Sequence, residues 1–63
     1  MKITEALEEI RNTRNRVTRD YWYNYNLSFN VNGDLILKDG NQDLTPYVLT
    51  IFDFNYEWYV ENK

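Results

Sequence analysis

The chain has no cysteine and no histidine, a single proline and two glycines. Without cysteine and histidine there is no disulfide, no thiolate or imidazole metal ligation, no Cys or His nucleophile and no histidine acid–base chemistry. Most small-enzyme templates fall away with them. Two glycines also make a phosphate-cradling backbone loop improbable, and neither zinc spacing nor a nucleophile motif is present. No apolar run reaches membrane-spanning length, and the opening "MKITEALEEI" carries acids where a secretory leader needs an apolar stretch. These absences point to a soluble, intracellular, non-catalytic protein that uses no cofactor, no metal and no membrane.

What is present is one small domain of 63 residues with 43% hydrophobic content. A core of that size rarely stabilises a chain alone, and with disulfides and metals excluded the remaining device is self-association, as a dimer or tetramer. Six tyrosines, two tryptophans and three phenylalanines favour the same view, because such rings are enriched at the centres of interfaces. Charge is uneven. Residues 1–19 carry Lys2, Arg11, Arg14, Arg16 and Arg19 against Glu5, Glu8 and Glu9, a net of +2, whereas residues 20–63 carry Lys38 and Lys63 against seven acids, a net of −5. A bipolar surface of this kind does not suit a nucleic acid backbone, so no direct nucleic acid partner is expected.

"ITEALEEIRN" reads as a helix with Thr4 as N-cap, acids in the first turns, and Ile3, Ala6, Leu7 and Ile10 as its apolar stripe. From Arg16 the period changes to two. Val17, Arg19, Tyr21, Tyr23, Tyr25, Leu27, Phe29 and Val31 share one parity, with an interruption expected near Asn24–Asn26 because so long a strand is unusual. On this parity Trp22 stands alone on the polar face, as an interface anchor or a ligand platform. Asn32-Gly33 signals a hairpin. A three-residue loop or bulge there would pair Val31 with Leu35 and Phe29 with Leu37, which buries more than a two-residue turn pairing Phe29 with Ile36. A second turn lies at Gly40. In "DLTPYVLTIF", Thr45 and Pro46 open a short helix with Leu44 stapled on Leu49, although the β-branched content argues for strand. Phe54, Tyr56, Trp58 and Val60 alternate with polar residues as a final strand. The fold expected is α+β: an N-terminal helix on an antiparallel sheet of three to four strands, with a short second helix before the last strand.

Arginine binds phosphate or carboxylate through parallel hydrogen bonds and stacks on aromatic faces, so the run "RNTRNRVTRDYWYNYN" contains the chemistry of a nucleotide site. Arg11 and Arg14 read as a solvated helix exit balancing Glu8. Arg19 differs, because it shares the parity of the apolar residues, points toward a core or an interface, and there needs an anionic partner. Candidate ligand-binding residues are therefore Arg19, Tyr21, Trp22, Tyr23 and Trp58, with no catalytic residue. Asp20, Asp53 and Glu57 read as solubilising acids.

The order "EALEEIRN", "RVTRDYW", "NVNGDLILKDGN", "YEWYVE" resembles the small phage-encoded Thoeris anti-defence proteins of the second class. Val17, Arg19 and Trp22 fill the family's V-x-R-x-x-W strand, and Glu57, Trp58 and Val60 its closing strand. The chain departs in carrying Asn12-Thr13-Arg14-Asn15 where the family has glycine followed by lysines. The resemblance implies an oligomer that binds a cyclic ADP-ribose isomer or a cyclic oligonucleotide between subunits, inside the infected bacterial host, and withholds that immune signal without cleaving it. A second expectation is an acidic inhibitor that occupies a host defence protein such as a CRISPR effector.

Overall fold

The computed structural model describes residues 1–61. Helix α1, Ile3–Thr13, is followed by β1 (Val17–Arg19), β2 (Tyr25–Phe29), β3 (Leu35–Asp39), β4 (Gln42–Pro46), a 3₁₀ helix (Ile51–Asn55) and β5 (Trp58–Val60). The strands form one sheet in the order β4-β3-β2-β1-β5, every neighbouring pair antiparallel. The α+β architecture is the expected one, with five strands instead of three or four. No helix among the described residues is long and apolar enough to cross a membrane.

The apolar stripe of α1 explains its position. Ile3, Ala6 and Ile10 are buried against Val17, Leu27 and Trp58, while Leu7 packs half-buried at the margin. The helix thus covers the β2-β1-β5 half of the sheet. It begins two residues earlier than Thr4 suggested. Lys2 is the N-cap, and its backbone amide donates to the Glu5 carboxylate at 3.0 Å. An N-cap at Thr4 would have left Ile3, which is fully buried, outside the helix. At the other end Arg14 adopts the left-handed conformation (φ 61°) and closes the helix by donating its amide to the Ile10 carbonyl at 2.9 Å.

The first long strand of the sequence pattern is divided at residues 20–24. The Thr18 hydroxyl donates to the Tyr25 carbonyl at 2.7 Å, sharing that hydrogen with the Trp22 carbonyl 3.3 Å away, which ties the base of an outward loop. The hairpin that follows has a three-residue connection, but its register differs from the expected one: Phe29 faces Leu35 and Leu27 faces Leu37. Asn30 decides this. Its side-chain oxygen accepts from the amides of both Asn32 and Asp34 at 2.9 Å, and Gly33 supplies the left-handed residue at φ 85°. The next turn places Gly40 first (φ 59°) between Asp39 and Gln42.

The segment 45–52 is neither one helix nor one strand. Thr45 and Pro46 end edge strand β4, where a missing N–H is tolerated, and Thr50 rather than Thr45 caps the 3₁₀ helix. Tyr56 precedes β5, so the final strand is shorter than its alternation suggests.

Candidate functional site

Arg19 closes β1 opposite Trp58 of β5, on the sheet face that carries Val17. Its parity therefore turns the side chain inward, as an apolar residue's would be. The guanidinium carbon lies 3.9 Å from the centroid of the Tyr56 ring, 4.5 Å from Trp22 and 5.9 Å from Trp58. A cation over ring faces is attracted by their quadrupoles, by about 0.5–2 kcal/mol per well-placed ring. Half-buried, Arg19 makes no ion pair among the described residues, and its Nε is buried without an acceptor. The one side-chain hydrogen bond it makes among the described residues, Nη1 to the Asp20 carbonyl, is stretched to 3.5 Å.

The rings around it are braced in turn. Trp22 meets Trp58 edge-on at 5.2 Å and Tyr47 edge-on at 5.7 Å. Trp58 is fully buried, with its indole N–H donating to the Asp53 carbonyl at 2.9 Å and its amide to the Met1 carbonyl at 2.8 Å. It forms the floor beneath the cation and offers no face to solvent. Trp22 is not alone on a polar face: leaving the strand turns its ring back onto the core margin.

Tyr21 and Tyr23 project outward, 86% and 94% exposed, on the loop between β1 and β2. The loop starts with a turn in which the Trp22 amide donates to the Arg19 carbonyl at 3.1 Å, and Tyr21 occupies its third position at φ 70°. That position favours glycine or asparagine, and a bulky residue there costs on the order of 1–3 kcal/mol. Of the five candidate residues, then, Arg19, Trp22 and Trp58 come together, while Tyr21 and Tyr23 stand beside them without a ring contact among the described residues.

Two further residues belong to the arrangement. Tyr56 makes the nearest ring contact to Arg19, yet on sequence it reads only as one apolar residue of the last strand. Asp53 is buried, not solubilising. Its carboxylate accepts from the Tyr47 hydroxyl and from the Thr50 amide, both at 2.7 Å. Burial first, then Asp53 through its hydrogen bond and its charge, push the Tyr47 phenol up to about 12, against a smaller lowering by Arg19. The spacing Thr50-x-x-Asp53 is that of a capping box and was the available signal.

Comparison with known proteins gives no match among protein-family models, curated proteins or solved structures. The chemistry must therefore be read from the residues. A guanidinium clamped between rings, with donors left over and no ion-paired carboxylate among the described residues, is equipped to hold a phosphate or carboxylate. The carboxylate of Asp53 is committed to Tyr47 and Thr50.

Proposed function

We propose that the protein is a non-catalytic binder that sequesters a cyclic nucleotide immune signal, a cyclic ADP-ribose isomer or a cyclic oligonucleotide, as a phage counter-defence protein. One observation carries this reading: the Arg19 guanidinium is held by Trp22 and Tyr56 with its Nε buried and no anionic partner among the described residues. A half-buried cation whose Nε is sealed from water without an acceptor is poorly compensated, and a ligand phosphate supplies the missing partner. The strained, exposed Tyr21 and its neighbour Tyr23 add rings on which a base can stack. Val48, Ile51, Phe52 and Phe54 are exposed on the segment leading to Tyr56, and a second copy seated there would shut water from the site. Withholding a signal requires tight stoichiometric binding and no turnover.

Calorimetry against cyclic ADP-ribose isomers and cyclic di- and trinucleotides tests this. One member should bind stoichiometrically, and Arg19→Lys, which keeps the charge but not the planar fork, should weaken it tenfold or more. The absence of heat with every ligand removes the reading.

A second reading, an inhibitor of a host defence protein, is favoured by β4. All five residues of this edge strand are exposed, including Asp43, which lies 3.4 Å from Lys38, and Asp39 adds an exposed acid at the end of neighbouring β3. Charge reversal at both acids should then abolish pull-down of the host protein, while Arg19→Lys leaves it intact.

A further inference from the structure

At the end of β2 remote from Arg19, the exit of α1 and the β2–β3 hairpin enclose a groove of about 460 Å³, within the range of small-molecule sites. Its polar lining consists of Arg11, Arg14, Ser28 and Asn30, with Ile10 and Phe29 as the apolar floor. No acidic side chain among the described residues lines it. Arg11 does not pair with Glu8. Its guanidinium lies over the Phe29 ring, 5.5 Å from the centroid, and neither Arg11 nor Arg14 has an ion-pair partner among the described residues. The Asn30 side-chain oxygen is used by the hairpin amides, which leaves its NH₂ group as a donor on a residue that lines the groove.

Arg14 adds an independent argument. It occupies the left-handed closing position of the helix, at φ 61°, where glycine is the unstrained choice. An arginine held there against its backbone preference is explained if its side chain has work in the groove it lines. The end of the helix contributes a partial charge of about −0.5, which two full positive charges outweigh. Two like charges facing one cleft repel each other, and a bound anion relieves that repulsion.

We propose that this groove is a second ligand site, separate from Arg19, for a small organic phosphate bearing a flat apolar body. The phosphate bridges Arg11 and Arg14, and the body lies against Phe29 with Val31, fully exposed at the hairpin tip, as its rim.

The test is an amide chemical-shift titration of the intact protein with phenyl phosphate, benzoate and inorganic phosphate. Phenyl phosphate should give saturable shifts at Arg14, Ser28, Asn30 and Gly33 and bind at least tenfold tighter than inorganic phosphate. A preference for benzoate over phenyl phosphate would overturn the phosphate assignment. Arg14→Gly suits the backbone and so retains the fold. It should weaken phenyl phosphate at least tenfold, as should Arg11→Gln, whereas Arg19→Lys should leave the affinity unchanged. Shifts that do not saturate, shifts centred on Trp22, or full affinity in Arg14→Gly would each overturn the proposal. Because the expected shifts and the Arg11 and Arg14 variants lie in the groove, and Arg19→Lys serves only as the control, failure here leaves the cyclic nucleotide reading standing, and the converse also holds.

Discussion

Tyr47 shows how one hydroxyl couples the site to its scaffold. It donates to Asp53, whose main-chain carbonyl holds the Trp58 indole, and its ring supports Trp22 beneath Arg19. Its pKa is raised from 10.0 to about 12. The folded state therefore holds this proton more firmly than the unfolded chain. The associated stability is fully present below about pH 10 and is lost as pH rises toward about 12. In urea denaturation the stability advantage of the wild type over Tyr47→Phe should accordingly be constant up to about pH 10 and shrink between about 10 and 12. A constant difference across that range would contradict the coupling. Arg19 itself was identifiable from sequence, because its side parity matches Val17 and Leu27. Tyr56 was not, since its contact with Arg19 depends on where the 3₁₀ helix delivers the chain.

At the scale of elements, two left-handed residues make opposite predictions. Gly33 sits at φ 85° with open space where a Cβ would go, so Gly33→Ala meets backbone strain without a clash. It should lower stability by about 1–2 kcal/mol, seen as a lower urea midpoint at unchanged slope. Arg14, at φ 61°, carries that strain already, and Arg14→Gly should raise stability by up to about 1 kcal/mol while removing a groove side chain. The Asn32-Gly33 signal located the hairpin correctly. Its register escaped because the expected pairing weighed apolar burial alone, whereas the Asn30 side chain adds two hydrogen bonds that fix Asn30 opposite Asp34. The helix start differs from Thr4 for the opposite reason, since burial of Ile3 outweighed a side-chain cap.

For the whole molecule, the uneven charge does not become a single basic face. Arg11 goes to the groove, Arg16 bonds the Gly40 carbonyl at 2.9 Å and lies 3.7 Å from Glu61, and Arg19 enters the aromatic cluster. Exposed apolar side chains concentrate instead at Val48, Ile51, Phe52 and Phe54, the first two being 79% and 76% exposed. Sedimentation should therefore show concentration-dependent association, and Ile51→Ser with Phe52→Ser should shift the protein to monomer while preserving its circular dichroism. A wild type that stays monomeric at high concentration would refute a seam at this ridge.

The sequence by itself determined the helix stripe, the change of period at Arg16, the turn at Gly33 and the inward parity of Arg19, because each depends on neighbours a few residues apart. Only the tertiary structure decided that Trp22 and Tyr56 flank that arginine, that Asp53 is buried under Tyr47, and that Arg11 and Arg14 share a groove with Phe29. Some of those contacts join segments distant along the chain and others, Arg19 with Trp22 and Tyr47 with Asp53, are made where the chain leaves regular structure, so strand order and side-chain burial govern them and no local period encodes them.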